Sequence, residues 1–255
     1  MKKDKVKKII AVILLVISAT GLCIVGTILY KHFHEIKQGE DEVAQLKELV
    51  GSTVGDVTGD YLDDTPVISD RAKELYQLNS DFVGWLYIDG PGVDYPVMQT
   101  PEDEQFYIHR NFEKKYSSNG SLFCSAQSDV RTPSQNIIIY GHHMNAHNVM
   151  FNGLMAYEKE DFYKEHKYIT FETIYGTREY EIIAAYRTAI NNTEYKYYEF
   201  YNGTEEEFFE YVNYAKSKTP YKTADVKYGD NLISLSTCAY HTRNGRYVVV
   251  AKQIK

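Results

Sequence analysis

Three residues at the ends of apolar runs have the side-chain types that acyl transfer through a thioester requires. Cys238 follows Leu232-Ile233-Ser234-Leu235-Ser236-Thr237, and His142 follows Asn136-Ile137-Ile138-Ile139-Tyr140-Gly141. Arg246, eight residues after the cysteine, opens the run Tyr247-Val248-Val249-Val250. A free thiol with a pKa near about 8.5 is mostly protonated at neutral pH, so a thiolate nucleophile needs an imidazole beside it as base or counter-ion. The same imidazole can hand the proton to a departing amine. A guanidinium, always charged, can donate hydrogen bonds to the carbonyl oxygen on which negative charge gathers. No Asp or Glu follows Cys238, so no acidic third member is evident.

Residue type and spacing alone make this constellation only moderately specific. His143 and His147 lie four apart with His241 beside the cysteine, which invites a metal reading. Histidines at that spacing converge on a helix, whereas this stretch leaves a strand and contains Asn145 and Asn148. A papain-like protease would use the same two residue types, but with the nucleophile early and the histidine downstream; here the order is reversed. A non-catalytic surface ectodomain would treat Cys238 as structural. Arg243 competes with Arg246, but Arg243-Asn244-Gly245 reads as a hairpin turn, whereas Arg246 enters a strand antiparallel to the cysteine strand.

The elements that must position these residues read as mostly β. Short β-type runs at 84–88, 121–123, 136–140, 168–172, 180–186, 232–237 and 246–252, separated by turn residues, suggest a barrel or sandwich. One clear helix interrupts them: Thr204 to Glu207 forms a capping box, with Phe208, Tyr211, Val212 and Ala215 as an apolar stripe behind it. Two helices precede the strands. One spans Glu40 to Val50, with Val43, Leu46, Leu49 and Val50 on one face; the other is capped by Ser69 or Asp70, carries Ala72, Leu75 and Tyr76, and ends near Asn79. Residues 51–66, rich in Gly, Thr and Asp, read as a loop or tether.

Ile9 to Tyr30 carries no charge and is long enough to cross a hydrocarbon core of ~30 Å as a helix. Five lysines in residues 1–8 place the N-terminus in the cytoplasm and the rest outside. Ser18 to Gly21 would suit signal cleavage, but the apolar run continues well past it, which favours a retained anchor. The net charge of −7 divides into +4 over the first eight residues and −11 from Lys31 onward. So acidic an ectodomain repels phosphate backbones and argues against nucleic acid as a partner. Of the three cysteines, Cys23 lies in the apolar run and Cys124 reads as a buried small hydrophobe; no C-x-x-C occurs.

Leu235-Ser236-Thr237-Cys238 resembles the T-L-x-T-C signature of sortases, with Arg246 at the start of the next strand and Tyr140-Gly141-His142 resembling the family's G-H element. The segments 81–86, 94–99 and 119–123, the N-terminal helices and the helix at 204–216 resemble class B sortases in particular. Ser234 stands where the family usually has Thr, a change that keeps the hydroxyl.

The resemblance implies a β-barrel of about eight strands with N-terminal helices and a helix inserted before the cysteine strand. Residues 1–8 would be a cytoplasmic tail, 9–30 a transmembrane anchor, 31–66 helix and linker, and 67–255 the catalytic domain. It implies a cofactor-free transpeptidase on the outer face of a Gram-positive membrane. Such an enzyme cleaves surface proteins at a C-terminal sorting signal of the N-P-x-T or S-P-x-T kind and passes them to an amine of a peptidoglycan precursor or a pilin. Cys238, His142 and Arg246 would be catalytic, and Tyr140, Ser236 and Ile108 would line the peptide groove. Thr237 would face away from Ser236 by strand alternation.

Overall fold

The computed structural model describes residues 2–50, 69–143 and 149–255. Its strands are β1 (Phe82–Ile88), β2 (Val93–Met98), β3 (Leu122–Cys124), β4 (Asn136–Tyr140), β5 (Tyr168–Thr173), β6 (Gly176–Ala189), β7 (Leu232–Cys238) and β8 (Gly245–Gln253), and its α-helices are α1 (Lys2–Val50), α2 (Asp70–Leu78), α3 (Glu160–Glu165) and α4 (Glu205–Lys218). They close into a barrel in the order β1-β2-β3-β4-β7-β8-β6-β5. Most pairs are antiparallel, but β2 and β3 run parallel, as do β4 and β7, with Tyr140 opposite Ser236 at the end of the β4–β7 ladder.

Alternation along β4, β7 and β8 divides two environments. Ile137, Ile139, Ile233, Leu235, Tyr247 and Val249 point into the barrel core. On the outer face, Leu232, Val248 and Val250 pack beneath α4 (Glu205–Lys218), which contributes Phe208, Tyr211, Val212 and Ala215. The capping box of α4 is formed by Thr204 and Glu207, and a cap of this kind typically stabilises a helix by about 1 kcal/mol. The buried Ser234 hydroxyl on the outer face is satisfied by its neighbours. Ser234 Oγ donates to Asn136 Oδ1 at 2.8 Å and lies 2.6 Å from the Tyr211 hydroxyl, while Asn136 Nδ2 donates to the Phe200 carbonyl at 2.9 Å. The serine at this position therefore ties β4, β7 and α4 together.

Two features depart from the sequence expectations. The strand β2 was not anticipated, because Pro96 lies within it; it pairs with Trp85 of β1, where a residue without an N–H is tolerated. The N-terminal elements form one unbroken helix, α1 (Lys2–Val50), rather than a span followed by a separate short helix. Gly39 does not break it. A Cβ there would lie 3.0 Å from Asn119 Nδ2, so the glycine permits close docking on the barrel. Ile36 and Leu46 are buried, Val43 packs on the cluster containing Leu75 and Trp85, and Lys47 pairs with Asp94 at 2.5 Å. Leu49, expected on the same face, is 62% exposed because it lies beyond this docking contact. The side chain of Val50 and the tether 51–66 lie outside the described residues.

Helix α2 (Asp70–Leu78) is capped by Ser69, whose side chain accepts from the Ala72 N–H, and buries Ala72 and Leu75, while Tyr76 turns outward. Arg71 of α2 lies over the Trp85 ring, 4.3 Å from its centroid, and pairs with buried Glu172 at 3.4 Å.

Candidate functional site

A cleft of about 240 Å³ opens on the outer face of the barrel where β4 and β7 end and β8 begins, and all six residues singled out from the sequence line it: Ile108, Tyr140, His142, Ser236, Cys238 and Arg246. The reason is periodicity. Tyr140 and His142, then Ser236 and Cys238, are two residues apart, so each pair shares the face that Asn136 and Ser234 occupy further down. Arg246 sits directly opposite Cys238 in the β7–β8 ladder and shares its face.

Cys238 is partly exposed and free, whereas Cys124, also free, is fully buried, and burial pushes its thiol up to about 12. The two form no disulfide.

His142 is oriented by the 3₁₀ segment Phe106–His109. Its Nε2–H donates to the Ile108 carbonyl at 2.6 Å, which in the neutral ring leaves Nδ1 with the lone pair. The acid that the sequence lacks after Cys238 is thus replaced in its orienting role by a main-chain oxygen. Burial holds the His142 imidazole below its ordinary pKa; the Ile108 carbonyl opposes this, and the nearby His109 adds to it. The rings of His109 and His142 stack at 5.5 Å. Gly141 is required by packing, since a Cβ would come within 2.5 Å of Leu122 and 2.7 Å of Phe151.

Ser236 is only 1% exposed, and its hydroxyl lies 2.6 Å from that of Tyr197, so it forms part of the floor of the cleft. Thr237 also borders the cleft but sends its hydroxyl to the Gly141 carbonyl at 2.8 Å, linking the cysteine strand to the residue before His142. Arg246 Nη1 donates to the Gly245 carbonyl at 2.9 Å. Arg243 is exposed and does not line the cleft. His147 lies outside the described residues, and no group of three or more metal donors occurs among those described.

Sequence reasoning missed one wall of the cleft. Ile190, Tyr197 and Tyr198 come from the segment joining β6 to α4, and Glu104 and Gln105 from the segment before the 3₁₀ turn. The only available signal was the aromatic density of Tyr195-Lys196-Tyr197-Tyr198. Burial raises the Tyr197 phenol to about 12, against the opposing pull of the Arg246 charge.

A thiol, an imidazole with a free Nδ1 and a guanidinium therefore meet in one groove with partly apolar walls. Residues 86–254 match the model of the Sortase domain family. The chain is 33% identical over 186 residues to sortase B of Staphylococcus aureus, covering 72% of this chain and 74% of that protein. It is 32% identical over 191 residues to sortase B of Listeria monocytogenes, covering 73% and 75%. Among solved structures, the Staphylococcus aureus sortase B–substrate complex superposes with a TM-score of 0.72 at 27% identity, covering 87% of this chain and 97% of that one. The chain belongs to the sortase family and, within it, to the sortase B group of cysteine transpeptidases.

Proposed function

We propose that this enzyme cleaves surface proteins at a C-terminal sorting signal of the N-P-x-T or S-P-x-T kind and transfers them to an amine of a peptidoglycan precursor or a pilin. The observation that carries the reading is the cross-strand pairing of Cys238 with Arg246 in the cleft that His142 also lines.

In this mechanism His142 Nδ1 takes the Cys238 proton, and the thiolate attacks the carbonyl carbon that follows the Thr side chain of the signal. Arg246 donates to the oxygen as it becomes negative. Collapse breaks the C–N bond; the imidazolium gives its proton to the leaving amine, and a thioester on Cys238 remains. The acceptor amine then attacks the thioester and gives up a proton to His142, and the thiolate departs. Tyr140, Ser236 and Ile108 border the groove in which the peptide lies. Residues 9–30 anchor the enzyme, with the lysine-rich tail inside and the catalytic domain outside. This gives the division into tail, anchor, linker and catalytic domain set out above.

The test incubates the full chain in detergent with a small set of five-residue sorting peptides and amine acceptors and reads products by mass. Amide-exchanged product with an N-P-x-T or S-P-x-T peptide supports the proposal. Hydrolysis alone, whatever the amine, would make the enzyme a protease in practice.

A further inference from the structure

The parallel ladder between β4 and β7 ends one rung short of the candidate nucleophile. Its last main-chain rung is the Gly141 N–H donating to the Ser236 carbonyl at 3.1 Å. In a parallel pair the bonds alternate in direction, so the Gly141 carbonyl, which accepts from the Thr237 hydroxyl at 2.8 Å, would take the next rung, and the one after it would run from the N–H of residue 143 to the Cys238 carbonyl. The chain turns away before it can form: Phe151 N–H donates to the His142 carbonyl at 3.1 Å, and His143 pairs in an isolated antiparallel bridge with Met150. In place of the missing amide, the His143 side chain reaches back, and its Nδ1–H donates to the Cys238 carbonyl at 2.8 Å. The Tyr240 hydroxyl closes the link from the other side, donating to the His143 carbonyl at 3.1 Å, with the two rings 5.4 Å apart.

We propose that His143 is a positioning residue: its imidazole supplies the rung that the β4 backbone no longer can, and holds the Cys238 main chain in register with His142 and Arg246. On the β8 side Cys238 is held by its pairing with Arg246 and by the Ala239 N–H to Gly245 carbonyl bond at 3.0 Å. On the β4 side the imidazole is the bond that holds its carbonyl. Freeing that carbonyl lets the peptide unit after Cys238 rotate, which moves Sγ relative to the base. Displacements of about 1 Å at a reacting atom cost on the order of 10²-fold in rate, so partial loosening should cost about tenfold. The link also joins the residue after His142 to the residue it serves, so base and nucleophile move together.

This rests on Cys238 being the nucleophile, and the test separates the two ideas. Full-chain variants are assayed for transpeptidation, with kcat and KM measured separately and melting temperature as a folding control. His143→Phe keeps a ring against Tyr240 but loses the donor; kcat should fall about tenfold with KM within twofold. His143→Asn places an amide N–H about where Nδ1 stands and should restore most of kcat. A His143→Phe enzyme with native kcat overturns the proposal, as does an Asn variant no better than Phe. If His143→Phe fails to fold, His143→Gln replaces it, its amide carried one methylene too far out. A kcat equal to that of Asn then overturns the proposal, and a kcat well below it supports it. Cys238→Ala serves as the control: turnover surviving in that variant refutes the role of the cysteine, whatever His143 does.

Discussion

Cys238 and Arg246 are the last cross-strand pair of the β7–β8 ladder, so a sulfur and a guanidinium leave the sheet side by side on its outer face. Their relation is set by backbone register, which a side-chain substitution leaves in place. Arg246→Lys should therefore keep the fold and lose the fixed fork of donors, lowering kcat on the order of 10²–10³-fold with little change in KM. Arg243→Lys, in the exposed turn, should behave like the parent. Steady-state kinetics of the two variants decide it; a raised KM with unchanged kcat would assign Arg246 to peptide binding.

Only one of the two thiols in the barrel should matter. Cys238→Ala is expected to abolish turnover and Cys124→Ala to leave most of it, because Cys124 is buried with its thiol pushed up to about 12. Peptide mapping after brief treatment with a methanethiosulfonate reagent should show labelling at Cys238 in the parent and in Cys124→Ala, and none at Cys124 in the parent or in Cys238→Ala.

His142 should titrate below the ordinary imidazole pKa of about 6.5, chiefly because burial disfavours the charged ring. The unfolded chain binds that proton more readily than the folded one. The contribution to stability is therefore fully present above the unfolded value and is lost as pH falls below it. Removing the neighbouring imidazole by His109→Gln should move the His142 midpoint upward. NMR titration of the ring protons in parent and variant checks both directions, and an unchanged midpoint would mean that His109 exerts no influence.

The Tyr197–Ser236 hydroxyl pair closes the floor of the cleft, so removing either partner leaves the other buried without it. Tyr197→Phe and Ser236→Ala should each destabilise the protein by about 1–2 kcal/mol, and the double variant by less than the sum. Denaturant melts of the four proteins measure the coupling; strict additivity would mean that the bond contributes nothing.

How much of this could be read in the chain depended on whether the signal was local. The strands carrying His142, Cys238 and Arg246 are continuous β-branched or alternating runs, and their register follows from a period of two; the six cleft residues named from sequence all reached one groove. Their placement side by side needed the parallel β4–β7 pairing, for which the family resemblance stood in. Strand β2 was hidden by Pro96, and the first residues of β6, Gly176-Thr177-Arg178-Glu179, lack a strand pattern and pair only because β5 folds back on them. Tyr197 was illegible for a related reason, since its 3₁₀ turn is fixed by a hydroxyl on a strand 39 residues away. The Ile108 carbonyl could not be found at all, because every residue has one and only the fold chooses which meets an imidazole.

The unbroken course of α1 ties the apolar run rigidly to the barrel. From Tyr30, where the apolar run ends, to Ile36, the first side chain buried against the barrel, there are six residues of helix, a rise of about 9 Å. If residues 9–30 lie in a bilayer, as proposed above, the barrel rides on a short helical mast instead of swinging at the end of a leash. On the proposed function, the reach of the groove from the membrane would then be limited by that rigid connection. The stretch separating a substrate's signal from its own membrane segment would in that case be a second specificity element, read as a length.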